Sequence, residues 1–233
     1  MNFLNKGFNE KLHILLNKPL TSELKEEDLF SVASFTINGK NFDDTYSTFN
    51  TEDLKYLPNL NKLSISNIKI DNIDNIFNLK SLEELELYNS YFDSLEGINA
   101  LLNLKYLTID SCGYENFYEL DKLSTLKGLI IKDANIEDLA FIKYYDLDFL
   151  ELSNCVIENY SELKNKLNIK TLNLFNTEID FKILYNYKNL KTLIISDLSY
   201  EKNKNVIDTL ISIGVKVINE KSLLIGGDNN ATS

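Results

Sequence analysis

The sequence contains no arginine and no tryptophan, one histidine (His13), two cysteines (Cys112 and Cys155) and two prolines (Pro19 and Pro58). Each scarcity removes a class of chemistry. One histidine and two cysteines cannot supply the set of four ligands that a structural zinc ion takes from His and Cys. No apolar run approaches the roughly 20 residues of a transmembrane helix. The opening stretch MNFLNKGFNEKLHILLNKPL has its apolar residues interrupted by Asn9, Glu10 and Lys11, so no secretory core forms. With no lipidation or wall-sorting motif either, the cytoplasm is the expected location. A Walker loop, a Rossmann glycine pattern and a G-x-S-x-G elbow are all missing. His13 sits between Leu12 and Ile14 with no base or nucleophile readable beside it. No catalytic residue, metal or cofactor is therefore expected.

What remains is a globular mixture: 44% apolar and 25% charged residues exclude a disordered chain. The formal net charge of -11 repels phosphate, so nucleic acid and anionic membranes are poor partners. A protein with a basic, lysine-rich surface is the easier partner to accommodate.

Self-similarity decides the fold. The segment LPNLNKLSISNIKIDNIDNIFN from Leu57 aligns with LKSLEELELYNSYFDSLEGINA from Leu79. The same frame restarts at Leu101, Leu123, Tyr144, Lys166 and Tyr187, a period of 21 or 22 residues. A longer first unit starts at Leu29, making eight units in all. Most carry L-x-x-L-x-L, as in Leu60, Leu63 and Ile65 or Leu82, Leu85 and Leu87, and Val32, Phe35 and Ile37 start the series. Period-two apolarity marks a short strand with one buried face. The series that follows, such as Ile70, Ile73 and Ile76, suits a short helical or 3₁₀ return. One unit cannot bury its own apolar face, so the units must stack.

The expected class is therefore α/β: a curved, right-handed leucine-rich-repeat solenoid capped by helices at its start and by a helix and strand at its end. Residues 1–28 are expected to form the N-terminal cap, 29–202 the array, 203–218 the C-terminal cap and 219–233 a flexible tail. The first cap helix should bury Phe8, Leu12, Leu15 and Leu16. The last should bury Val206, Leu210 and Ile213 and stop at Gly214. Val215-Lys216-Val217 then offers a final edge strand, and Leu223, Leu224 and Ile225 could dock on the cap.

The array, together with the segment TSELKEEDLFSVASFTINGKNF leading into it, resembles the internalin-like group of bacterial leucine-rich-repeat proteins. That resemblance implies a protein-binding module with no catalytic activity. Two features depart from the group. Its usual asparagine at the ninth position is replaced by Lys40, Ile68, Ser90, Cys112, Ala134, Cys155, Thr177 and Leu198, and no Pro-Leu pair lies in a return segment. Two of those positions are the cysteines. Two repeats apart at about 4.8 Å per strand, they should lie about 10 Å from each other, too far for a disulfide. Asn230-Ala231-Thr232 spells a glycosylation triplet, to which no role is attached without a secretory signal.

Function should lie on the strand side chains that face away from the core. Alternation places on one concave face Glu84, Glu86 and Tyr88; Tyr106, Thr108 and Asp110; Ile130 and Lys132; Phe149 and Glu151; and Asn173 and Phe175. Tyr88, Tyr106, Ile130, Phe149 and Phe175 form the expected apolar contacts, with an acidic rim from Glu84, Glu86, Asp110, Asp133 and Glu151. The end units are expected to be polar there. Large apolar groups have no folding reason to occupy that face, and aromatics with a polar rim are what a protein hot spot needs. The leading expectation is a module that captures a partner protein. The alternatives are an inhibitor or immunity protein masking a basic enzyme or toxin, and an adhesin.

Overall fold

A computed structural model describes residues 3–41 and 48–222. Two helices come first, α1 (Lys6–Leu15) and α2 (Glu26–Leu29). Strands β1 (Ser34–Asn38), β2 (Thr48–Asn50), β3 (Lys62–Ser66) and β4 (Lys69–Asp71) follow. The middle of the chain holds β5 (Glu84–Tyr88), β6 (Tyr106–Asp110), β7 (Gly128–Lys132), β8 (Asn135–Asp138), β9 (Phe149–Ser153) and β10 (Val156–Asn159). Strands β11 (Thr171–Asn173) and β12 (Thr192–Ile194), helices α3 (Asp197–Lys202) and α4 (Lys204–Ser212), and β13 (Lys216–Ile218) complete it.

Nine strands, one per unit plus β13, lie in sequence order in one sheet. All are parallel, and the register never slips. Phe35, Leu63, Leu85, Leu107, Leu129, Leu150, Leu172, Leu193 and Val217 pair one to the next. All but Val217 are buried. The returns are 3₁₀ segments, among them Ile73–Asn78, Phe117–Leu120 and Leu139–Tyr144. Three residues per turn carries Ile73 and Ile76 to the same buried side, and Ile70 is buried from β4. Between strand and return, β2 pairs with β4 and β8 with β10 in two small parallel sheets that hydropathy alone did not single out.

Two turn positions explain how a strand reverses so sharply. The eighth residue of six units is Asn67, Asn89, Ser111, Asp133, Asn154 or Asn176, with φ from 41° to 56°. Asn and Asp are the non-glycine residues that tolerate this left-handed geometry best. Their side chains also tie one unit to the next. Asn89 Nδ2 donates to Asn67 Oδ1 at 2.9 Å, Ser111 Oγ to Asp133 at 2.7 Å, and Asn176 Nδ2 to Asn154 at 3.1 Å. The ninth residue points inward. Thr177 Oγ1 accepts the Cys155 N–H at 3.0 Å and donates to the Leu152 carbonyl at 2.6 Å.

Several expectations are corrected. The fifth restart falls on Tyr145, which is buried, and not on Tyr144, which is exposed. The Tyr145 N–H bonds the Ile142 carbonyl as the Leu79 N–H bonds Ile76, so this unit is one residue shorter after the slot. The polar groups that replace leucine there reach backbone across the stack. Tyr145 Oη donates to the Leu120 carbonyl, Lys166 Nζ to the Lys143 and Tyr145 carbonyls, and Tyr187 Oη to Leu163. In α1, Phe8 and Leu12 are buried, whereas Leu15 is exposed. The Phe8 ring packs tilted against Phe35 and stacked on Phe49, with centroids 4.8 and 6.1 Å away. The buried carboxylate of Asp53 accepts the N–H groups of Leu4 and Asn5, fixing the start of that helix. In α4, Ile207 is buried in place of Ile213, which lies beyond the helix end and is exposed. Gly214 (φ 96°) then turns the chain into β13. Leu198, the ninth-position residue of the last unit, is exposed because α3 replaces the turn there. The chain from Asn219 to Ser222 is not loose. Glu220 accepts the Asp197 N–H, and Asp197 accepts the Lys221 N–H. Leu223, Leu224, Ile225 and the Asn230 triplet lie outside the described residues.

Removing only the hydroxyl by Thr177→Val leaves a buried N–H and carbonyl unmatched, which costs about 1–3 kcal/mol. Leu172→Ala, in the leucine column, costs about 2–5 kcal/mol. Urea denaturation measures both. A Thr177→Val loss below about 0.5 kcal/mol would contradict the bracing role of the ninth residue.

Candidate functional site

Groups that could do chemistry are committed to structure. His13 is buried, with Nδ1 2.9 Å from the Asn9 carbonyl and Nε2 3.0 Å from that of Ser22. Both thiols are free. Cys155 Sγ lies 3.3 Å from the Ser153 carbonyl and Cys112 Sγ 3.4 Å from that of Asp110, each bridging its own turn. Burial pushes both thiols up, Cys155 to about 11. Among the described residues no group of His, Cys, Asp and Glu is arranged to hold a metal ion, and no helix is long and apolar enough to cross a membrane. Cys155 should therefore resist Ellman's reagent at pH 8 in the native protein and react promptly in urea. Equal rates in both conditions would contradict its burial.

The open face of the large sheet is built from three rows set by the register. Glu84, Tyr106, Gly128, Phe149, Thr171 and Thr192 form the first. Glu86, Thr108, Ile130, Glu151, Asn173 and Ile194 form the second. Tyr88, Asp110, Lys132 and Ser153 form the third, with Phe175 just past β11.

Tyr106 is the most exposed aromatic on the face, at 50%. Gly128 explains its pose. A Cβ there would come within 2.7 Å of Tyr106 Cδ1, so the ring lies across the bare backbone of β7. Phe149 closes the other side, its Cβ 3.9 Å from the same point. Ile130, half-buried, sits beside them in the second row. These three residues form one contiguous patch. Tyr88 and Phe175 lie at the two ends of the third row, with Asp110, Lys132 and Ser153 between them. Thr108 is also no contact residue, being only 6% exposed beneath its neighbours.

The acidic rim is the larger correction. Lys62 Nζ lies 2.9 Å from Glu84 and 2.8 Å from Glu86, and Lys132 Nζ lies 2.8 Å from Asp110. Ser153 Oγ donates to Glu151 at 2.6 Å. The bond to Glu86 raises the Lys62 pKa, and the bond to Asp110 raises that of Lys132. Burial works to raise Glu86, yet the bonds from Lys62 and Ser64 outweigh it and hold the carboxyl low. Tyr88 is raised, first by burial and then by the Glu86 charge. Three of the five rim carboxylates, Glu84, Glu86 and Asp110, are ion-paired within the chain, whereas Glu151 has the Ser153 hydroxyl. Exposed Asp133 takes the Ser111 hydroxyl.

Two signals were missed by hydropathy reasoning. The first unit is polar on this face, with Ser34, Thr36 and Asn38, but the last is not wholly so, for Ile194 and Ile218 are half-buried there. Acidic residues also follow the buried column Ile70, Phe92, Tyr114, Ile136 and Ile157: Asp71, Asp93, Glu115, Glu137 and Glu158. All five are exposed, and none forms an ion pair among the described residues. Sequence spacing alone could have found them.

An open parallel sheet with one short strand and one 3₁₀ return per unit defines a leucine-rich-repeat solenoid. Its fold is more particularly internalin-like. Internalin C2 of Listeria monocytogenes strain 4b F2365 superposes with a TM-score of 0.72 at 23% identity, over 93% of this chain and 94% of that one. InlF, an internalin of the same strain, gives 0.70 at 20% identity over 83% of this chain, which spans only 56% of InlF. The mouse RP105/MD-1 complex contains a more distant match, with a TM-score of 0.56 at 18% identity, over 72% of this chain and 31% of that one. No family model and no curated protein matches the sequence.

Proposed function

We propose that this chain is a non-catalytic protein-binding module whose partner docks on the concave strand face over Tyr106, Ile130 and Phe149. The observation that carries the reading is the Tyr106 ring, half-exposed and laid across Gly128 where the core gains nothing from it. Rigid aromatics held in one orientation lose little entropy on binding, which is why such groups dominate interface energetics. The internalin-like fold and the leucine-rich-repeat match to a receptor complex support a protein partner. An inhibitor of a basic enzyme would need free carboxylates on this face, and Lys62 and Lys132 already hold three of them.

Tyr106→Ala should change folding stability by no more than about 1 kcal/mol. It should weaken the partner complex by about 2 kcal/mol, roughly thirtyfold in Kd. Affinity capture from the native cell, comparing wild type with Tyr106→Ala and Phe149→Ala, reads this directly. Partners retained equally by all three proteins would place binding elsewhere.

A further inference from the structure

Charge on the strand face is not evenly spread. In its first half, on β3, β5 and β6, Lys62 is clamped between Glu84 and Glu86, and Asp110 reaches Lys132 on β7. From β9 to β12 the outward residues are Phe149, Glu151, Ser153, Thr171, Asn173, Phe175, Thr192 and Ile194, and Glu151 alone is charged; exposed Lys216 on β13, paired with Thr192, bounds this stretch. The Glu151 carboxylate is turned onto the Ser153 hydroxyl. Together with Tyr106 and Ile130, these residues make a strip from β6 to β12, about 19 Å long at the usual strand spacing. It exposes aromatic and aliphatic groups and small uncharged polar ones.

We infer that the segment received on this strip is uncharged and rich in aliphatic or aromatic side chains, and that Lys62 and Lys132 serve to exclude basic partners by occupying the acids. The inference rests on the proposed docking face and adds the chemistry of its occupant. A lysine-bearing segment would have to displace Lys62 or Lys132 from carboxylates at 2.8 to 2.9 Å, exchanging one ion pair for another with no net electrostatic gain. An apolar segment covers Tyr106, Ile130, Phe149 and Ile194 and leaves those pairs intact. Specificity of this kind depends on what is repelled as much as on what is attracted.

A random peptide library displayed on phage tests this without a known partner. It is selected on the wild-type protein and on Tyr106→Ser/Ile130→Ser/Phe149→Ser, with the fold of each checked by circular dichroism. Peptides that bind wild type and not the triple variant should carry little net charge. Their Kd should change less than about twofold between low and high salt, since few charges are exchanged. Lysine-rich peptides whose Kd weakens about tenfold or more with salt would overturn the inference while leaving the docking face in place. If no peptide distinguishes the two proteins, the docking face fails and the inference with it. A second variant, Lys62→Met/Lys132→Met, frees Glu84, Glu86 and Asp110. Selection on it should shift toward lysine-rich, salt-sensitive peptides, and an unchanged selection would refute the role given to the two lysines.

Discussion

No unit of this chain can bury its own leucines, and that constraint organises everything else. A strand of three to five residues and one 3₁₀ turn enclose too little volume for a core. Each unit therefore presents an apolar surface that only its neighbours can cover. Parallel pairing in strict register is the arrangement in which every unit meets the same surface it offers, and the column from Phe35 to Val217 results. A slip of one residue would turn an entire row of leucines outward, so the register is held strongly. The caps follow from the same need. Phe8 and Leu12 cover the first strand side, and Val206, Ile207 and Leu210 cover the last, because the terminal units would otherwise leave leucine exposed.

Tight stacking creates a second demand, the fate of backbone polar groups at each reversal. Left-handed Asn, Ser and Asp at the eighth position let the chain turn without glycine. Inward Ser90, Cys112, Cys155 and Thr177 at the ninth position meet the carbonyls that the turn leaves inside. At the unit start, Tyr145, Lys166 and Tyr187 take over leucine slots and carry their polar tips to carbonyls of the adjoining turns. These substitutions keep the stack satisfied, and no buried side-chain nitrogen or oxygen among the described residues is left without a partner.

Legibility in the sequence tracks periodicity. The leucine columns, the 3₁₀ returns and the caps are all written as spacing, so counting along the chain is enough to place Leu63, Leu85 and Leu107 in one column. The one-residue deletion after Tyr145 was not legible, since Tyr144 and Tyr145 are equally good candidates for the slot. The strand-face rows followed from alternation, yet what their members do depended on neighbours in other units. Thr108 is covered, Tyr106 lies across Gly128, and Glu86 is claimed by a lysine 24 positions earlier. Such pairings join residues of different units, and reading each unit on its own hides them. They become visible when the units are written beneath one another and read down the columns.

Reading down columns also shows where the net charge of -11 is held. On the strand face the carboxylates have lysine or hydroxyl partners. The column Asp71, Asp93, Glu115, Glu137 and Glu158 lies after the buried Ile70-to-Ile157 row and has no such partners among the described residues. Like charges on successive units repel, so this column costs stability that the leucine stack must offset. A band of negative charge of this kind repels any other surface of the same sign. The chain thus separates two uses of the same residue types. Paired charge frames the face that carries the exposed aromatics, and unpaired charge lies along the column that follows the buried Ile70-to-Ile157 row.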